Sequence, residues 1–317
     1  MRTVFASDLH GRKNLYDALL DFALEHDSDC IIIGGDLFPT RLSAPLKLLS
    51  GNADFNDSLR IQLEFIESYL APVLHAFMKK HPDIHILYVP GNHDWRISAE
   101  HFKKLLPRAV CMHNDVRRIA GVTFMGYGCV TDSPFWVKDY VRRDTPQSSH
   151  TESRFPLIST PGGICISEGA AYAYGNPSIE EELRPLEVRD NDQAVCIFHC
   201  PPFDTGLDTL HDGKPIGSLS IRRYIEENMP VISLHGHIHE SPYMSGRYCT
   251  SIGKTLSLNP GFHPRELHAV FFETSDPRST LVHKVFGKGS PGSGSLGKAD
   301  RYSCIAKAFF MKTVLMK

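Results

Sequence analysis

Five short runs of acidic, amide and imidazole side chains punctuate the sequence: Asp8-Leu9-His10, Gly35-Asp36, Gly91-Asn92-His93-Asp94, His199 and Gly236-His237-Ile238-His239. Carboxylate, carboxamide and imidazole in this mixture hold divalent metal ions, and there are enough donors here for two ions. A two-metal hydrolytic centre needs anionic oxygens to balance charge, one carboxylate with two oxygens to bridge the ions, and imidazoles to set geometry. Asp36 is the expected bridge, because it stands alone after two glycines that let the backbone approach closely. Asp8, His10 and His239 would complete one site, and Asn92, His199 and His237 the other. The imidazole content favours manganese, iron or zinc over magnesium or calcium, which prefer oxygen-only shells. Two such ions, about 4 Å apart, activate water at neutral pH and clamp a phosphoryl group for in-line attack. His93, between Asn92 and Asp94, is then placed to protonate the leaving oxygen, with Asp94 orienting or charging it.

Each run follows an apolar stretch that reads as a buried strand, at residues 3–6, 31–33, 84–89, 194–198 and 231–234. The side chains therefore leave the same ends of neighbouring strands, the rim where α/β sheets bind ligands. Between these strands the periodicity predicts helices at about 12–26, 57–80 and 217–228, with an irregular stretch at 39–56. Further strands are expected at 115–119 and 122–127, joined by Ala120-Gly121 as a hairpin, and at 255–258, 267–273 and 280–286. Strand-rich ends around helix-linked strands suggest two packed sheets flanked by helices. Asp8 and His239 must meet, so residues 1–286 are expected to form one folded unit.

Residues 130–192 interrupt the pattern with Pro, Gly, Ser, Asp and aromatic residues, and one helix near 178–184 that Ser178 and Glu181 suit as a capping box. Phe135, Trp136, Tyr140, Arg142, Arg143, Tyr172 and Tyr174 make this stretch either a substrate-facing lid or an insertion covering one sheet face. Residues 287–295 have the composition of a flexible linker, and a basic, apolar tail follows at 298–317.

Lys plus Arg number 34 against 36 Asp plus Glu, a net charge of −2 that supplies no broad field for nucleic acid or acidic membrane. Eight cysteines without C-x-x-C spacing read as reduced core residues of a cytoplasmic protein. Strand signal begins at Thr3, so no secretory leader is expected, and no uncharged run reaches the roughly 20 residues needed to span a bilayer.

The ordered set Asp-x-His, Gly-Asp, Gly-Asn-His-Asp, His and Gly-His-x-His resembles the calcineurin-like metallophosphoesterase family over about 280 residues, with Asn259-Pro260-Gly261 similar to the family's usual ending. The resemblance implies a four-layer α/β/β/α sandwich, a dinuclear metal centre held by Asp8, His10, Asp36, Asn92, His199, His237 and His239, and phosphoester hydrolysis. Protein serine/threonine phosphatases and dinucleoside polyphosphate hydrolases of that family carry an arginine shortly after the second-motif aspartate. Here the run is Gly35-Asp36-Leu37-Phe38-Pro39-Thr40, which argues against both. Gly35-Asp36-Leu37-Phe38 is similar to the family's DNA-repair nucleases, yet a net charge of −2 shows no basic DNA-binding face. A small phosphodiester or nucleotide substrate fits better, with a nuclease, a phosphomonoesterase or a non-catalytic scaffold on the same fold as alternatives. Arg12 and Arg96, each beside a motif, are candidate phosphate contacts or surface ion-pair partners.

Overall fold

Val4 and Ala6 pack into a core shared with helix residues such as Leu15, Tyr16 and Leu19, whereas Phe5 between them packs against Val195, Ile197, Ile232 and Leu234 of other strands. This period-two alternation puts helices on one face of the first sheet and a second sheet on the other. The computed structural model describes residues 1–40, 55–153, 155–188 and 193–288. Most of the irregular 39–56 stretch, nearly all of the linker, the tail and Cys304 lie outside the described residues.

The first sheet has seven strands, in the spatial order Gly287–Lys288, Val282–His283, Ala269–Glu273, Arg2–Ala6, Cys30–Ile33, His85–Tyr88 and Ala109–Cys111. Arg2–Ala6, Cys30–Ile33, His85–Tyr88 and Ala109–Cys111 run parallel, and Ala269–Glu273, Val282–His283 and Gly287–Lys288 extend the other side in successive antiparallel pairings. The second sheet has six, in the order Cys249–Ile252, Thr255–Leu258, Ile232–Leu234, Ala194–Phe198, Val122–Tyr127 and Asp115–Ile119. Its four central strands are parallel, and its outer strands are antiparallel to their neighbours. Runs of buried Val, Ile, Leu and Phe are what a parallel sheet covered on both faces requires. Met125, Tyr127, Cys196 and Phe198, on the outer face of the second sheet, meet Ile221, Tyr224 and Ile225 of the helix Leu219–Asn228. The four-layer α/β/β/α order follows.

The expected elements take their places, with a few corrections. The hairpin turns through Ala120 and Gly121 with φ of 45° and 85°, the left-handed pair a tight two-residue loop needs. The single helix expected over 57–80 is Asn56–Phe65, a π turn at Ile66–Leu70, and Ala71–Lys80. Pro72 has no N–H for a helical bond, and the wider turn, in which the Ala71 N–H reaches Ile66 O, accommodates it. The strand expected over 280–286 is only Val282–His283, preceded by the short helix Pro277–Thr280. Gly287–Lys288, expected in the linker, pairs with Val282–His283 as an edge strand. The helix Arg96–Leu105 and the strands Ala109–Cys111 and Cys249–Ile252 were not anticipated. Cysteines among the described residues are free thiols, and no helix there is long and apolar enough to cross a membrane.

Candidate metal centre

Loops at the carboxyl ends of the parallel strands run side by side. Asp8 N–H donates to Gly35 O at 3.0 Å and His10 N–H to Asp36 O at 2.8 Å, so the first two motifs lie next to each other beyond their strands. Gly236 N–H donates to His199 O at 3.0 Å and joins the last two in the same way. Asp8, His10, Asp36 and His237 all hold positive φ, of 61°, 46°, 50° and 66°. Non-glycine residues in the left-handed region are strained, and such strain persists where the surroundings over-determine it. Close approach is equally enforced: a Cβ on Gly91 would lie 2.2 Å from Asp36 Oδ1, and one on Gly236 2.5 Å from Asp8 Oδ2.

Asp8, His10, Asp36 and His239 offer four donor atoms that all lie within 4.8 Å of one another. His239 Nε2 is 3.1 Å from Asp8 Oδ1 and 3.2 Å from His10 Nε2, which in turn is 3.8 Å from Asp36 Oδ2. On the other side of Asp36, His199 Nε2 lies 3.5 Å from Asp36 Oδ1 and 3.1 Å from Asn92 Oδ1, with the His237 ring 5.3 Å from the His199 ring. His199 Nδ1 is fixed by Gly34 O at 2.7 Å, which points Nε2 inward. Asp36 thus sits between two groups of donors, with one oxygen toward each.

The donor set fits cations. Asp8 and Asp36 are each 1% exposed, and Asp36 Oδ2 has no hydrogen-bond partner among the described residues. A buried carboxylate oxygen left unpaired is costly, and a metal ion satisfies it. Burial disfavours charge on both aspartates, yet His239 holds Asp8 and His199 holds Asp36 below the usual carboxylate range. Burial pushes His10 and His237 down to about 3, leaving the neutral imidazoles that ligate metals. Burial opposes charge on His199 too, but Asp36 and Asp8 lift it to about 9.

His93 borders both groups. Its backbone N–H donates to Asp36 Oδ1 at 2.8 Å, its carbonyl accepts from Gln62 Nε2 at 2.8 Å, and its ring lies 5.3 Å from that of His10. Asp94 does not orient it. The Asp94 carboxylate accepts the backbone N–H groups of Gly91, Leu37 and Phe38 at 2.9, 3.1 and 2.9 Å, while His93 Nδ1 is buried with no partner among the described residues. Burial and the nearby Asp36 raise Asp94 to about 7. It ties the second motif to the third.

The two arginines part company. Arg12 is exposed, and its guanidinium carbon lies 5.7 Å from the ring centre of Phe262, which packs 5.4 Å from the His10 ring and 4.9 Å from that of His239. Arg96 turns toward the inserted stretch, donating from Nη2 to Asp139 O and Tyr172 Oη at 3.3 and 3.2 Å. Arg142 and Arg143, named with the possible lid, are internal: Arg142 Nε donates to Glu182 Oε1 at 3.1 Å, and Arg143 Nε to Ala173 O at 3.1 Å. Of the aromatic residues singled out there, Phe135 and Tyr174 are the exposed ones, at 53% and 56%. His235 is a packed core residue, hydrogen-bonded to Cys200 O and Ser233 Oγ and stacked on Phe198. Sequence reasoning missed Gln62 and Phe262; Gln62 sits on an ordinary amphipathic helix with no motif to mark it.

Two stacked sheets between helices, with carboxylates and imidazoles converging at their common rim, define a metallophosphoesterase fold. The family model described as calcineurin-like phosphoesterase matches residues 1–241, and the chain belongs to that family. Among solved structures, one that is 16% identical over 91% of this chain and 99% of its own superposes with a TM-score of 0.57. The protein TT1561 of Thermus thermophilus, also 16% identical, covers 89% of this chain and 97% of its own at a TM-score of 0.52. At these identities the likeness is one of fold. Comparison with curated proteins gives no match.

Proposed function

We propose that the protein is a dinuclear metal-dependent phosphoester hydrolase acting on a small phosphodiester or nucleotide. The observation that carries this reading is the convergence of Asp8, His10, Asp36 and His239 on one point, with Asp36 Oδ2 buried and unpartnered there. Asp8, His10 and His239 would hold one divalent ion, Asn92, His199 and His237 the other, and Asp36 both. When bound, the ions supply Lewis-acid activation of water and of the phosphoryl group. The His93 imidazole delivers a proton to the leaving oxygen, and Arg12, over Phe262, pairs with the substrate's anionic oxygens. Leu37 and Phe38 are fully buried, and neither they nor the half-buried Pro39 and Thr40 supply a cation where the phosphatase run carries its arginine. A diester preference rests on that departure.

Asp36→Asn removes one anionic charge and the symmetry a bridging carboxylate needs. It is expected to lower occupancy of both ions in elemental analysis and to abolish turnover of a chromogenic diester. Chelation of the wild type is expected to do the same, with added Mn restoring the rate. Full two-metal content in Asp36→Asn would remove Asp36 from the bridge, and faster turnover of a monoester than of a diester would overturn the diester assignment.

A further inference from the structure

His237 is the middle residue of a three-residue turn. Ile238 N–H donates to Gly236 O at 2.7 Å, and His237 itself has a φ of 66°. This is the positive-φ form of the γ-turn, rare because a side chain at its centre is strained. Yet this turn aims two of the imidazoles at the metal centre, His237 from its apex and His239 from just beyond it. Something outside the turn must hold it.

One side chain does so from both flanks. Asn259 is 1% exposed, and its Nδ2 donates to Gly236 O at 3.2 Å and Ile238 O at 3.1 Å, the carbonyls on either side of His237. The same amide donates to Leu207 O at 3.0 Å, in the loop that follows His199. Its Oδ1 accepts Gly261 N–H at 2.9 Å, closing the Asn259-Pro260-Gly261 turn, and that turn delivers Phe262 against the rings of His10 and His239. Two amide hydrogens thus serve three carbonyls of two loops, and the carbonyl oxygen fixes a third.

We propose that Asn259 is a positioning residue for the metal centre, pre-forming the strained turn that presents His237 and His239. This rests on the metal-dependent reading above. Asparagine is required over its isosteres because the site needs a donor on one side and an acceptor on the other. An aspartate would set a carboxylate oxygen against three carbonyl oxygens, and an alanine would take the Nδ2 donor from all three, leaving Gly236 O and Ile238 O only the backbone N–H groups of Ile238 and Ser241. Groups that orient metal ligands from behind typically contribute about 10- to 100-fold in metal affinity or activity.

The test compares wild type, Asn259→Asp and Asn259→Ala, each stripped and reloaded with Mn(II), with Thr255→Val as a control for a buried hydrogen bond far from the loop. Thr255 Oγ1 donates to Pro230 O at 2.7 Å, at the opposite ends of the same pair of strands. The Asn259 variants are expected to bind Mn(II) about 10- to 100-fold more weakly by chelator competition, and to lose the exchange-coupled signal of a Mn(II) pair in electron paramagnetic resonance. Thr255→Val is expected to lower the melting temperature without changing either readout. A wild type that takes up no Mn(II) would sink the metal-dependent reading itself. A wild type that binds two ions, with Asn259 variants of equal affinity and spectrum, would overturn the inference alone. Should the variants fail to fold, hydrogen exchange of the metal-free wild type decides: the Ile238 and Gly261 amides are expected to be protected, and rapid exchange at both overturns a pre-formed turn.

Discussion

Asp36 lies between the two groups of donors, and His93 shows what that placement does. The backbone of His93 is held by Asp36 Oδ1 and Gln62, while its imidazole is left without an orienting carboxylate because Asp94 is occupied by three backbone N–H groups. Adjacency in sequence suggested a His93–Asp94 pair; the turn sends the two side chains to different neighbours. A general acid in this position contributes typically about 100- to 10,000-fold. His93→Gln is therefore expected to reduce turnover of a poor-leaving-group diester on that order while Mn content stays at the wild-type level. The deficit should shrink for a nitrophenolate-type leaving group, which leaves without protonation. Equal losses with both leaving groups would assign His93 to holding the site together and not to proton transfer.

At the scale of elements, the inserted stretch behaves as a brace. Asp139 accepts Arg96 N–H at 2.8 Å, at the start of the helix that follows the third motif, and Asp144 accepts Leu219 N–H at 2.9 Å as well as the Ser218 hydroxyl, at the start of the helix Leu219–Asn228. A carboxylate at a helix N-terminus satisfies donors that have no partner within the helix and complements the dipole. Losing such an acceptor costs about 0.5–2 kcal/mol, so Asp144→Ala is expected to lower the melting temperature by several degrees while leaving Mn affinity unchanged. An unaltered melting temperature would show that the insertion merely rests on the second sheet. Replacing the whole stretch would remove both carboxylates, so substrate choice is better probed at exposed Phe135 and Tyr174. The parallel strands and their rim were legible because uninterrupted apolar runs ending in ligand motifs have few alternative readings. The braces were not, since Asp139, Asp144 and Gln62 act across distances in sequence that periodicity does not encode. Short edge strands such as Ala109–Cys111 carry too few residues for an alternating pattern.

At the scale of the whole molecule, a second histidine cluster contributes to the fold's response to acid. His268 and His283 lie 5.3 Å apart behind the Asn259-Pro260-Gly261 turn, and both hydrogen-bond to Pro260 O, at 3.1 and 3.0 Å. His283 Nδ1 accepts the backbone N–H groups of Val285 and Phe286, which fixes the neutral tautomer with its proton on Nε2. Burial pushes His268 down to about 4 and His283 to about 3, from an ordinary 6.5. The unfolded chain therefore takes up protons on these residues as pH falls below about 6.5, while the folded chain resists until about 4 and 3. Stability from this pair is fully present above pH 6.5 and is lost as pH falls through that window, at up to about 1.4 kcal/mol per pH unit for each residue. His283→Gln keeps an acceptor in the region but cannot be protonated. It is expected to lower stability at about pH 7.5 and to flatten the decline between about pH 6.5 and 4.5 in urea titrations of the metal-free protein, where carboxylate protonation contributes equally to both chains. Parallel pH profiles for the variant and the wild type would show that His283 takes no part in the acid response.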